Sequence, residues 1–182
     1  MLPLVAIIGR PNVGKSKLFN RFLGYRKAIV SEFAGTTRDC VYGKVEAEIP
    51  FIFVDTGGIE AQTETGTLEE NIQLQAQTAV DEADLILFIV NSREELTIDD
   101  YKATEAIRKS KKPFLFLASK CDSGAEDLLS FTELGFGIPI GHSALHGNGL
   151  DEIQKAIQKE LENLKFKPQE IPKTSAETIA LR

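Results

Sequence analysis

Gly9-Arg10-Pro11-Asn12-Val13-Gly14-Lys15-Ser16 stands directly after the apolar run Leu4 to Ile8 and directly before a helical pattern that includes Lys17. A segment of this composition can grip phosphate. Glycines let the backbone wrap closely and turn its N–H groups inward, and a following helix adds about half a positive charge at its first turn. Lys15 brings a full charge to the β- and γ-phosphates of a nucleoside triphosphate. Ser16 brings a hydroxyl suited to Mg²⁺, which is satisfied by one small protein oxygen together with phosphate oxygens and water. The spacing Gly-x4-Gly-Lys-Ser arises by chance elsewhere; a buried-strand pattern before it and a helix after it make it a phosphate-binding loop here.

Two further clusters bear on the same ligand. Asp55-Thr56-Gly57-Gly58 follows the apolar run Phe51 to Val54, so Asp55 projects from a strand's carboxyl end and can hold Mg²⁺ through water. Gly58 can offer its backbone N–H to a γ-phosphate with no side chain in the way, and loss of that phosphate would release the segment after it. Ser119-Lys120-Cys121-Asp122 follows the apolar run Phe114 to Ala118, at the place where this topology puts a base-reading loop. A carboxylate at Asp122 that accepts from two N–H groups on one edge of guanine rejects adenine, because the wrong base leaves it unpaired. The alternative for Asp122 taken alone is a helix N-cap. Ser143-Ala144-Leu145 would add a backbone N–H for the guanine oxygen, and Lys120 would cover the base with its aliphatic stem.

The elements that must position these groups are legible in the hydropathy pattern. Leu4 to Ile8, Phe51 to Val54, Leu85 to Val90 and Phe114 to Ala118 are continuous apolar runs of strand length, as for parallel strands covered on both faces. Val41 to Ile49 alternates instead, so it is a half-exposed strand, turned by Pro50 into antiparallel pairing with Phe51 to Val54. A short strand over Ile138 to Gly141 completes the set. Between the runs the period is helical: Leu18, Phe19, Phe22 and Leu23 share a face, as do Leu68, Ile72, Ala76, Ala79, Val80 and Ala83. Tyr101 to Lys109 and Glu126 to Leu134 read as further helices. Leu150, Ile153, Ile157, Leu161 and Leu164 mark the last one, with Asn148 as its N-cap. Right-handed crossovers then predict a three-layer α/β sandwich around a six-stranded mixed sheet with one antiparallel edge strand.

Composition narrows the function classes. With 42% hydrophobic and 26% charged residues the 182-residue chain can bury one core without staples. Cys40 and Cys121 have neither the number nor the spacing of a disulfide framework or zinc site, which points to a reducing, cytoplasmic compartment. No apolar run reaches the roughly 20 residues that cross a bilayer, so no membrane partner is expected. A net charge of −6 argues against a DNA-binding surface or a broad RNA grip. From Lys167 the pattern dissolves into polar residues and prolines, so residues 1–166 form the domain and 167–182 a linker. Ile179-Ala180-Leu181-Arg182 is apolar again, like the opening strand of a further domain; a disordered tail is the alternative.

The order of the three clusters, with Gly35-Thr36-Thr37-Arg38 between the first two and Ser143-Ala144-Leu145 last, resembles the five motifs of translation-factor-type small GTPases. The stretches Gly9 to Asn20, Gly35 to Asp39 and Asp55 to Glu60 are most similar to the first G domain of the EngA/Der family, bacterial tandem GTPases of large-subunit ribosome assembly. Glu82-Ala83-Asp84 and Leu134-Gly135-Phe136-Gly137 fit that family too. The resemblance implies a Ras-like G domain with the P-loop NTPase fold, binding GTP and GDP with Mg²⁺ and hydrolysing GTP as a conformational switch. It implies as well a ribosomal large-subunit precursor as partner, reached through domains that this chain does not contain, and a monomeric fragment. Other members of the superfamily, acting in tRNA modification or small-subunit assembly, share the same motifs. A non-catalytic domain that senses GTP against GDP is a further alternative.

On this resemblance Thr37, with Thr36 as the alternative, is the second Mg²⁺ ligand, and Asn12 either ligates a K⁺ that bridges the phosphates or merely turns the loop. Ile59 follows Asp-x-x-Gly where some GTPases carry a Gln that orients water, so turnover without help should be slow, about 10⁻⁴ to 10⁻² per second. Ser119 replaces the usual Asn of the base-reading loop, and its shorter side chain is not expected to reach both guanine and the phosphate loop, at a cost of roughly 1 to 2 kcal/mol in affinity. Arg10 and Arg38 are read as solvated surface rather than as arginine fingers, His142 and His146 as loop residues, Arg93 to Asp100 as a solvated loop and helix start, and Cys40 and Cys121 as residues that need no special chemistry, although a place beside the base pocket would leave Cys121 open to oxidation.

Overall fold

A computed structural model describes residues 1–25, 29–30, 41–56, 80–124 and 126–168. The expectations for Gly35 to Asp39, Cys40, Gly57 to Glu60, the helical face Leu68 to Ala79 and the tail from Gln169 onward lie outside these residues. In chain order the elements are β1 (Leu4–Ile8), α1 (Lys15–Tyr25), β2 (Ile29–Val30), β3 (Val41–Val45), β4 (Phe51–Asp55), β5 (Leu85–Asn91), α2 (Ile98–Ser110), β6 (Phe114–Ser119), a 3₁₀ helix (Leu129–Leu134), β7 (Ile140–Gly141) and α3 (Leu150–Asn163).

The strands form one sheet in the order β2-β3-β4-β1-β5-β6-β7. β1, at its centre, pairs parallel with β4 and with β5, as β6 does with β5 and β7. β3 runs antiparallel to β4, as its alternating pattern predicts. The six expected strands are present, and the two-residue β2 adds a seventh outside β3, through Ile29 opposite Lys44. β3 is therefore not the edge. Its ladder also stops at Val45, although the in-out alternation continues through buried Ala47, exposed Glu48 and buried Ile49. There the Gln158 side chain of α3 replaces a strand partner, accepting from the Ile49 N–H at 2.7 Å and donating to its carbonyl at 3.1 Å.

Successive residues of the central strands feed opposite layers, which is why their runs are apolar throughout. Val5, Ile7, Leu85, Leu87 and Ile89 pack with Leu18 and Phe22 of α1 and Ile153, Ile157 and Leu161 of α3. Ala6, Ile8, Ile86, Phe88 and Val90 pack with Val80, Ala83, Ile107 of α2, and Phe131 and Leu134 of the 3₁₀ helix. Each fully buried Ile, Leu or Phe contributes about 1.5 to 3 kcal/mol, so both layers hold the sheet firmly. On the second layer Phe88 and Phe116 stack at 5.4 Å, and Phe136 meets Phe88 edge-on.

Four local expectations need correction. The segment Glu126 to Leu134 forms a 3₁₀ helix over Leu129–Leu134 only, because short polar side chains capture the backbone ahead of it: Glu126 accepts from the Ser123 N–H and Asp127 from the Leu129 N–H. Asn148 is not the cap of α3; Gly149 takes that place, while the Asn148 carbonyl accepts from the Ser143 N–H at 3.0 Å. Leu164 falls just past the end of α3 and is exposed. The start of α2 lies earlier than Tyr101, at Ile98, where Thr97 and Asp100 form a capping box. No helix among the described residues is long and apolar enough to cross a membrane.

Candidate functional site

The parallel register brings the carboxyl ends of β1, β4, β6 and β7 to one edge of the sheet, where a doubly wound fold binds its ligand. The loop from Gly9 to Gly14 leaves β1 there and enters α1. A Cβ at Gly9 would lie 2.4 Å from the Ile89 carbonyl oxygen, so only glycine lets β1 turn this close to β5. Gly14 has φ 110°, a conformation that other residues rarely adopt. Val13 is fully buried in the core below, which pins the loop from beneath. Asn12 has φ 62° and an exposed side chain, as the loop-turning role requires.

Lys15 is buried, and its Nζ donates to the carbonyls of Gly9 at 2.7 Å and Arg10 at 2.9 Å, so the ammonium sits within the curve of the loop. Ser16 and Lys17 are exposed in the first turn of α1, where helical N–H groups lack intrahelical partners. Pro11 is half-buried in the same loop. Asp55, also buried, ends β4 in register with Ile7, so its carboxylate stands beside the phosphate loop's origin. The Thr56 hydroxyl is turned the other way and donates to the Ile7 carbonyl at 2.7 Å; it braces β4 against β1 and is not directed at the ligand.

Arg10 departs from the surface role expected of it. Its side chain is 15% exposed, its guanidinium lies 2.5 Å from Glu94 and 3.2 Å from the buried Asp100, and it ties the phosphate loop to the start of α2. The Arg10 guanidinium in turn holds the Glu94 carboxyl below the ordinary carboxylate range. The run Arg93 to Asp100 is the largely exposed loop and helix start that was expected, with Glu94 and the buried Asp100 joining it to Arg10. The capping spacing of Thr97 and Asp100 was available in the sequence; the partners of Arg93 and Glu94, far away along the chain, had no local signal.

Ser119 closes β6 opposite Asn91. Its hydroxyl lies within hydrogen-bond distance of the carbonyls of Val13 and, at 3.2 Å, Val90. Serine was expected not to reach both guanine and the phosphate loop; it does make the loop contact, because β6 ends so near Val13 that a hydroxyl suffices. Lys120 takes a left-handed conformation, φ 63°, with its Nζ 3.9 Å from Glu94. The Cys121 N–H donates to the His142 carbonyl and the His142 N–H to the Ala118 carbonyl, which joins the last two motifs. Cys121 is buried, and burial pushes its thiol pKa up, which disfavours the reactive thiolate and agrees with a cysteine that has no special chemistry. His142 lies in the loop after β7, as expected, but is buried there, and desolvation lowers its pKa to about 4.

Asp122 stands between these loops. Its Oδ1 accepts from the Ser143 hydroxyl at 2.5 Å and its Oδ2 from Arg93 Nη2 at 2.5 Å. The Ser143 N–H is already taken by Asn148, so of the last motif only Ala144, half-buried, and Leu145, exposed, have amides not committed in this way. Among the described residues no three His, Cys, Asp or Glu side chains cluster into a metal cage.

The model of the 50S ribosome-binding GTPase family matches residues 4–120. GTPase Der of Thermomicrobium roseum is 45% identical over 168 residues, 88% of this chain and 36% of that protein. The chain thus spans about a third of that relative's length. Among solved structures, a variant of Aquifex aeolicus Era bound to GDP·AlF4⁻ aligns with a TM-score of 0.67 at 32% identity, over 92% of this chain and 57% of that one. Era in complex with MgGDPNP and a segment of 16S ribosomal RNA aligns with a TM-score of 0.64 at 32% identity, over 94% and 58%. The Der-type resemblance and the P-loop GTPase fold expected from the motifs are both borne out. Since the matched region runs from the first strand through the phosphate loop to Lys120, the chain belongs to the 50S ribosome-binding GTPase family.

Proposed function

We propose that this chain is a GTP-binding switch that hydrolyses GTP to GDP and phosphate in the cytoplasm. The observation that carries the reading is the coupling of two loops: Ser119 is bonded to the Val13 carbonyl, and Asp122 lies three residues further on. A ligand held by the Gly9 to Lys17 loop at its phosphates thereby has an acidic group at a set distance for its base. Asp122 reads the guanine edge, Lys120 covers the ring, and the amide of Ala144 or Leu145 serves the guanine oxygen. Ser119 and Cys121 contribute backbone, and Ser143 orients Asp122.

Magnesium fits the oxygen donors present, since one hydroxyl at Ser16 and one carboxylate at Asp55 suit an ion that keeps waters and phosphate oxygens. Thr37 would join them. A Mg²⁺ held there would supply positive charge to the phosphates. Lys15 binds and orients the terminal phosphoryl, and the Gly58 N–H senses its presence. Thr56 and Gly57 shape the segment that moves. Ile59 cannot orient water, so the resting rate is low; a K⁺ held by Asn12 would raise it.

The similarity to Der supports a role in large-subunit assembly, with the remaining length of such proteins supplying the ribosome contacts. Ile59 favours one other reading, a GTP/GDP sensor with negligible turnover. Nucleotide titration and single-turnover phosphate release in K⁺ and in Na⁺ separate them. GTP binding well above ATP, with release faster in K⁺, is the expected result. Equal affinity for ATP would remove the base-reading role, and no release in either salt would leave the sensor.

A further inference from the structure

Guanine is recognised by the donor edge formed by N1–H and the C2 amino group, an N–C–N unit within a guanidine fragment. Arginine presents the same planar pair of donors on a guanidinium. In this structure the guanidinium of Arg93 donates to Asp122 Oδ2, the carboxylate that reads guanine in the function proposed above. We propose that Arg93 is a built-in competitor for the base pocket, exchanging with guanine for the same carboxylate and so setting nucleotide affinity and exchange.

Three observations make the exchange workable. First, Asp122 has little room for both partners: its side chain is 21% exposed, Ser143 already occupies Oδ1 at 2.5 Å, and Arg93 takes Oδ2. Second, Arg93 reaches it from a fixed base. Its backbone N–H donates to Oδ1 of Asn91, a buried residue at the end of β5, at 3.1 Å, and its neighbour Glu94 is held by Asn91 and by Arg10. Third, the Arg93 side chain itself is 56% exposed, so it can leave Asp122 for water with no change in the turn that carries it.

The competition lowers apparent affinity by the fraction of molecules in which Asp122 is free to pair with a base. A partly exposed ion pair of this kind shifts that fraction only modestly, so Arg93→Gln should tighten GDP binding about two- to fivefold. The direction is diagnostic. Removing a positive charge near a polyanion would by itself weaken binding, so a gain requires release of Asp122. The gain should be confined to guanine, because adenine has no donor pair for Asp122, so the guanine-to-adenine preference should rise by the same factor.

The test measures dissociation constants of GDP and ADP for the 182-residue chain and for Arg93→Gln. Those of XDP are then measured for Asp122→Asn with and without Arg93→Gln. Tighter GDP binding in Arg93→Gln, with no gain for XDP in the Asp122→Asn background, supports the competition. Equal or weaker GDP binding in Arg93→Gln overturns it and leaves base reading by Asp122 standing. The same gain in the Asp122→Asn background also overturns it, since the effect then bypasses the carboxylate. Loss of any preference for GDP over ADP in the unmodified chain overturns base reading and the competition together.

Discussion

In the function proposed above, Asp122 concentrates the recognition chemistry in one carboxylate, and the Ser143 hydroxyl donates to that carboxylate. Asp122→Asn replaces an acceptor by a donor at the base edge, so preference should move from guanine to xanthine nucleotides by about tenfold or more in relative affinity. Competition of GDP and XDP for the variant measures it; an unchanged preference for GDP would remove Asp122 from the base site. Residue type and a place after a buried strand left Asp122 open between a helix N-cap and a base reader, and the order of the other motifs nominated it for the base. Ser119 shows the limit of that approach. Read by side-chain length it looked too short to serve guanine and the loop together, yet the close approach of β6 to Val13 lets its hydroxyl make the loop contact. How long a side chain must be depends on the distance between backbones, which no local pattern encodes.

At the scale of elements, the start of α2 does more than begin a helix. Asp100 accepts from the Thr97 N–H and hydroxyl, both at 2.9 Å, and its carboxylate meets Arg10 of the phosphate loop at 3.2 Å. Asp100→Ala removes a cap and strips a half-buried guanidinium of one partner, which should cost about 2 to 4 kcal/mol of folding stability. Urea unfolding would register it, and a loss below about 0.5 kcal/mol would mean that the tie is idle. The main strands and helices were legible because burial on one or two faces imposes a period on consecutive residues. The 3₁₀ helix, β2 and the Gly149 cap were not, since each is settled by side chains or strands that arrive from elsewhere.

For the molecule as a whole, the junction of the last two motifs is sensitive to acid. His142 is almost wholly buried between them, and among the described groups neither ring nitrogen has a hydrogen-bond partner. Burial holds its folded pKa at about 4 against 6.5 for the ordinary group. As pH falls below 6.5 the unfolded chain takes up the proton first, so this contribution to stability is intact above that value and is lost progressively towards pH 4. The loss amounts to about 3 kcal/mol over the window. In His142→Leu it should vanish, so the stability difference between variant and parent should widen in the variant's favour between pH 7 and pH 4.5. Urea titrations at the two pH values measure this, and parallel behaviour of the two proteins would rule the histidine out. Such a site could not be foreseen from one imidazole beside a motif. What the chain determined by itself was the order of the motifs, the period of the apolar residues and hence the layered fold, because these are properties of neighbours along a backbone. Which charges meet, Arg10 with Asp100 and Arg93 with Asp122, was decided only when the sheet brought distant segments to one edge, because Coulombic and hydrogen-bonding partners are selected by proximity in space.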